Sequence, residues 1–144
     1  MDYKHILAAV DLSSQSMQVV RNAQSIAAQS NASFDIVHVI EHSPIAYGGE
    51  FSIPINMNLE QTIEVQARQS LAALCDKLNI SKEHQHVLSG SVKNAVVKLG
   101  DELKIDLIVV GTHGHHGIDK LLGSRANAIL HAAKCDVLAI RAKE

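Results

Sequence analysis

The chain has 144 residues and a mass of 15.5 kDa, enough for one domain with a core that needs neither disulfides nor structural metal. Apolar residues make up 47% and charged residues 19%, a globular composition rather than a disordered one. A net charge of −2, with Tyr3, Phe34, Tyr47 and Phe51 the only aromatic residues, supplies neither the basic surface nor the stacking platforms of a nucleic-acid binder, so no nucleic-acid partner is expected.

His5 to Val10 reads HILAAV, a short apolar run of the kind a strand buried on both faces shows. Asp11-Leu12-Ser13-Ser14 interrupts it with turn and cap formers. From Ser16 to Ser30, Met17, Val20, Ala23 and Ala27 recur at helical spacing. Ser33 to Ile40, SFDIVHVI, predicts a second strand. Glu41 to Asn56 holds both prolines, Pro44 and Pro54, and Gly48-Gly49, and reads as a long loop. Leu59, Ile63, Ala67, Leu71, Leu74 and Leu78 then mark a long amphipathic helix.

A third strand is expected at His84 to Leu88. Val92, Val96, Leu99 and Leu103 give another helix face, and Leu107 to Val110 (LIVV) a fourth strand. Ala126, Ile129, Leu130 and Ala133 mark a short helix, and Asp136 to Arg141 (DVLAIR) the last strand. Such alternation argues an open parallel sheet with helices on both faces, in one domain spanning residues 1–144. Ligands in these sheets bind outside the carboxyl ends of the strands, where the strand order reverses. Asp11 follows the first strand and Gly111 the fourth. They meet only if those two strands are neighbours, with the switch point between them.

Residues 111 to 124 read GTHGHHGIDKLLGS. Gly111, Gly114, Gly117 and Gly123 are four of the eight glycines in the chain. Glycine lets a ligand approach the main chain closely, and Ser124 is a good opening residue for a helix whose free N–H groups favour an anion. The loop reads either as a phosphate cradle of backbone amides or as an ordinary strand-to-helix connection. It is not a Walker loop, since no Lys follows Gly123, and it is not GxGxxG.

These residues carry a resemblance. The opening YKHILAAVDLS, the second-strand HVIE, the central GTHGHHGIDKLLGS and the closing ANAILHAAKCDVLAIR together resemble the universal stress protein family over essentially the whole chain. The resemblance implies a Rossmann-like fold, of the adenine nucleotide alpha hydrolase-like kind, with a five-stranded parallel sheet in order 3-2-1-4-5. It implies a homodimer paired through the last strand, Asp136 to Arg141. One branch of the family binds ATP or AMP through a G-x2-G-x9-G-S/T pattern. Asp11 matches the acidic residue at the adenosine end, and Val39 the position whose backbone meets the adenine. Gly111, Gly114, Gly123 and Ser124 match the phosphate loop. Eight residues rather than nine separate Gly114 from Gly123, so the loop is one residue short, which bears on the triphosphate end more than on the adenosine end.

Other candidates carry two readings each. Asp11 caps the first turn or accepts from ribose hydroxyls. Lys120 and Arg125 are solvated charges or neutralise phosphate. The cluster His113, His115 and His116 has no cysteine beside it and falls short of a zinc set, so no protein-held metal is expected; Mg²⁺ or Mn²⁺ would arrive on the phosphates of a nucleotide. His38 reads as a hydrogen-bonded interior histidine, and Cys75 as a buried apolar-face residue. No catalytic residue is identified, and no general base for hydrolysis stands out, so any ATP hydrolysis is expected to be slow. Two cysteines, no leader-like start and no apolar run near the ~18 residues of a membrane span give the expectation of a cytoplasmic protein with no membrane partner. The leading expectation is an adenine-nucleotide-binding stress-response sensor or protective module. Its rivals are a dimeric interaction module without nucleotide and a slow ATP hydrolase or phosphotransferase.

Overall fold

A computed structural model of the chain describes residues 2–41, 57–112 and 124–141. The strands are β1 (His5–Val10), β2 (Ser33–Ile40), β3 (Gln85–Ser89), β4 (Leu107–Gly111) and β5 (Asp136–Ile140). The helices are α1 (Ser16–Ser30), α2 (Met57–Leu78), α3 (Val92–Glu102) and α4 (Ser124–Ala132). All four strand pairings are parallel, and the sheet runs β3-β2-β1-β4-β5. The order reverses between β1 and β4, as the sequence predicts.

Because side chains alternate across a strand, each buried strand feeds two cores. On one face Ile6, Ala8, Val10, Ile36 and Val109 pack against Val20 and Ala23 of α1 and Leu71 and Cys75 of α2. On the other, Leu7, Val37, Val39, Ile108 and Val110 pack against Val96 and Leu99 of α3 and Ala126 and Ile129 of α4. Burying each of the Val, Leu and Ile side chains among these contributes about 1.5–3 kcal/mol. This is why LIVV and HILAAV are continuous apolar runs rather than alternating ones.

Three helices stop by one device. Asn31, Asn79 and Lys104 take left-handed backbone angles of φ 54, 58 and 56 after α1, α2 and α3. The next amide then reaches back five residues: Ala32 to Ala27 at 2.8 Å, Ile80 to Cys75 at 3.0 Å and Ile105 to Gly100 at 2.8 Å. That bond satisfies a carbonyl the helix end leaves open and turns the chain toward the next strand. At the other end of α3, Ser91 accepts from the Asn94 amide at 3.1 Å.

Two boundaries move from the sequence expectation. His84 belongs to a 3-10 turn, Lys82–His84, closed by its amide on the Ser81 carbonyl at 3.0 Å, so β3 starts one residue later and extends to Ser89. β5 ends at Ile140, whose carbonyl accepts from Thr112 at 3.0 Å, and not at Arg141. The long-loop expectation for Glu41 to Asn56 lies, beyond Glu41 itself, outside the described residues.

Candidate functional site

The carboxyl ends of β1, β2 and β4 and the start of α4 converge at the switch point. Ala9 pairs with Val110, so Asp11 and Gly111-Thr112 leave the sheet at the same end on adjacent strands. Gly111 is the last residue of β4, opposite Ile140 of β5. Ser124 and Arg125 form the first turn of α4, and both are exposed.

Asp11 is exposed and organises the turn after β1. Its Oδ1 accepts from the Ser13 amide at 2.9 Å and from the Ser16 hydroxyl at 3.2 Å. Leu12 between them has φ 63, a left-handed angle that costs a non-glycine residue about 1–2 kcal/mol. The turn-capping reading of Asp11 is therefore realised. It does not preclude the ligand reading, because a carboxylate offers about four acceptor positions.

β2 supplies a second wall. Val39 is buried, with its side chain in the core under α3 and α4, so a ligand role there falls to its main chain. The half-buried His38 donates from Nδ1 to the Val10 carbonyl at 2.9 Å. This acceptor fixes the Nδ1–H tautomer for the neutral ring and joins the ends of β1 and β2. It is the interior, hydrogen-bonded role expected from the sequence.

Glu41, just past β2, was not a site candidate in the sequence. In the structure its Oε1 accepts from Arg125 Nε at 2.5 Å, linking the end of β2 to the start of α4. Both groups are well exposed, at 40% and 58%, so the pair is solvent-screened and contributes little to stability. Its effect is on position and charge: the guanidinium expected to face phosphate is held by a carboxylate from across the crevice. A charged residue immediately after a buried strand, at the same sheet end as Asp11, was the available signal.

The structure places Asp11, Val39, Gly111, Ser124 and Arg125 at the same end of the sheet. Gly114 and Gly123, with Lys120 and the cluster of His113, His115 and His116, lie outside the described residues. Among the described residues, no group of His, Cys, Asp or Glu is disposed to hold a metal ion. A cavity of about 60 Å³ between α3 and the Ala133–Cys135 segment lies away from the crevice, near the amino ends of the strands. What converges at the switch point is a carboxylate acceptor, a glycine at a strand end, a helix start and a guanidinium. Groups of these kinds suit a polar, partly anionic ligand in general; they do not by themselves make a nucleophile.

Comparison with known proteins agrees with this architecture. The model of the universal stress protein family matches residues 2–141. Universal stress protein A homolog 1 of Coxiella burnetii is 66% identical over the full length of both chains. The crystal structure of a universal stress protein in complex with cAMP is 27% identical, covers 97% of this chain and 98% of its own, and superposes with a TM-score of 0.65. Universal stress protein UspA from Lactobacillus plantarum, 23% identical over 98% and 99% of the two chains, shares the fold with a TM-score of 0.71. With its sheet order, its paired helical layers and a family match over nearly every residue, this chain belongs to the universal stress protein family.

Proposed function

We propose that this chain, as a single domain, binds an adenine nucleotide in the crevice at the carboxyl ends of β1 and β4 and acts as a cytoplasmic stress-response sensor or protective module. What supports the reading is that Asp11, Gly111, Ser124 and Arg125 lie at the carboxyl end of the sheet, in a fold whose 27%-identical relative was crystallised with cAMP. Asp11 accepts from the ribose hydroxyls and the Val39 main chain meets the base. Gly111, Gly114, Gly123 and Ser124 border the phosphates, and Arg125 leaves Glu41 to neutralise them. AMP and ATP are the leading ligands, with Mg²⁺ or Mn²⁺ carried by the phosphates. The protomers pair through β5, whose outer edge is open in the single chain and whose Leu138 is exposed.

The chemistry proposed is binding and not rapid turnover. A second reading, a dimeric module that binds no nucleotide, is favoured by one feature: the segment between Gly114 and Gly123 is one residue shorter than the nucleotide-binding pattern. Titration with AMP, ADP, ATP and cAMP separates the two. Saturable binding supports the first reading, and no binding at millimolar ligand supports the second.

A further inference from the structure

The Glu41–Arg125 ion pair bears on which ligand the crevice prefers. Glu41 is the first residue past β2, and Arg125 is the second of α4. β1 lies between β2 and β4 in the sheet, so the contact joins chain segments that follow the strands on either side of β1. The core sets its placement. Val39 of β2 and Ala126 of α4 are buried in the same cluster. Glu41 comes two positions after the one and Arg125 one position before the other, so both leave that cluster at the carboxyl end of the sheet.

Arg125 donates from Nε to Glu41 Oε1 at 2.5 Å, so the carboxylate occupies the side of the guanidinium that carries Nε. Arginine grips a phosphate best through two parallel N–H groups, and Nε with its neighbouring Nη makes one such fork. Glu41 holds that fork. Asp11, exposed at the end of β1, adds a second carboxylate to this end of the sheet. A phosphate approaching Arg125 therefore meets a carboxylate already in place.

We propose that Glu41 is a specificity-determining residue, a built-in competitor that lowers what a phosphate gains at Arg125. The inference rests on the adenine-nucleotide reading of the crevice. A phosphorylated ligand must displace the Glu41 carboxylate to reach the guanidinium, whereas a neutral nucleoside binds with the pair intact. The cost falls on AMP and ATP and not on adenosine. The crevice then selects by its contacts to the nucleoside more than by phosphate charge. Glu41 touches no ligand in this scheme; it is a positioning residue that acts through Arg125. Both side chains are well exposed, so the competition is modest, worth at most about fivefold in an equilibrium constant.

The test is a double-mutant cycle on the full chain, with Glu41→Ala, Arg125→Ala and both together, read by calorimetric titration with adenosine and AMP at low ionic strength. Both positions are exposed, so the variants keep the fold, and Glu41→Gln serves as a second removal of the charge. Glu41→Ala should tighten AMP about three- to fivefold and leave adenosine unchanged. In the Arg125→Ala background the same substitution should leave AMP unchanged, and added salt should shrink the gain in the single variant. Equal tightening of AMP in both backgrounds would overturn the proposal, because the carboxylate would then repel phosphate directly. So would equal tightening of adenosine and AMP. Unchanged AMP affinity in both Glu41→Ala and Glu41→Gln, with both ligands still binding the unaltered chain, would overturn it and leave the nucleotide reading standing. No binding of either ligand at millimolar concentration would remove that reading and this inference together.

Discussion

Replacing Asp11 with Ala separates its observed turn contacts from its proposed ribose contacts, because the two differ in magnitude and in readout. In the folded chain its Oδ1 anchors the Ser13 amide and the Ser16 hydroxyl at 2.9 and 3.2 Å. Losing a capping carboxylate of this kind costs about 1 kcal/mol. For a domain of this size that lowers Tm by about 4 °C, leaving a folded protein. Losing charge-assisted bonds to ribose hydroxyls removes about 1.5–3 kcal/mol of binding, a ten- to hundredfold or slightly larger rise in Kd. Asp11→Asn keeps an acceptor oxygen for the turn and should sit between, with Tm nearly unchanged and affinity reduced. Calorimetric titration with AMP, beside a thermal melt, reads both numbers on one sample. Equal Kd values for the unaltered chain and Asp11→Ala, with the small loss of Tm present, would refute the ribose role and leave Asp11 as a turn residue only.

Arg125→Ala should weaken ATP more than adenosine, whereas Glu41→Gln, which frees the same guanidinium, should strengthen ATP; paired titrations with the two ligands check the signs. In β5, Ile140 directs its carbonyl to Thr112 of the β4 side, so the Ala139 amide points to the open edge. Ala139→Pro therefore removes a donor that only a second protomer would use, and sedimentation should show monomer; an unchanged dimer would rule out pairing through this strand. Burial, with Asp76 nearby, pushes the Cys75 thiol up to about 11, so alkylation at pH 8 should be slow in the folded chain and fast in urea.

The fold was largely legible because its signals are local and repeated. The runs HILAAV and LIVV are buried on both faces, and α2 carries an apolar stripe over Leu71 and Cys75, so period and length identify each element. The neighbouring of β1 and β4 followed from the resemblance and from the demand that Asp11 and Gly111 meet. His84 was misplaced because no Gly, Pro or cap former separates it from Gln85, and nothing in the letters says that the Ser81 carbonyl closes a 3-10 turn before the strand begins. The Glu41–Arg125 contact spans 84 positions, and its partners show only once the crossover is built. The contacts of His5, His84 and His86 with Asp35, at the amino end of the sheet, were missed for the same reason. A lone Asp within SFDIVHVI and a His-x-His pair were each visible, yet their joining depends on the β1-β2-β3 register.

If the β1–β4 switch point binds an adenine nucleotide, isothermal titration of the purified chain with AMP, ADP, ATP and cAMP in turn gives saturable binding of at least one of the four, with one site per protomer and loss of affinity in Asp11→Ala. Absence of binding by all four at millimolar concentration would contradict it.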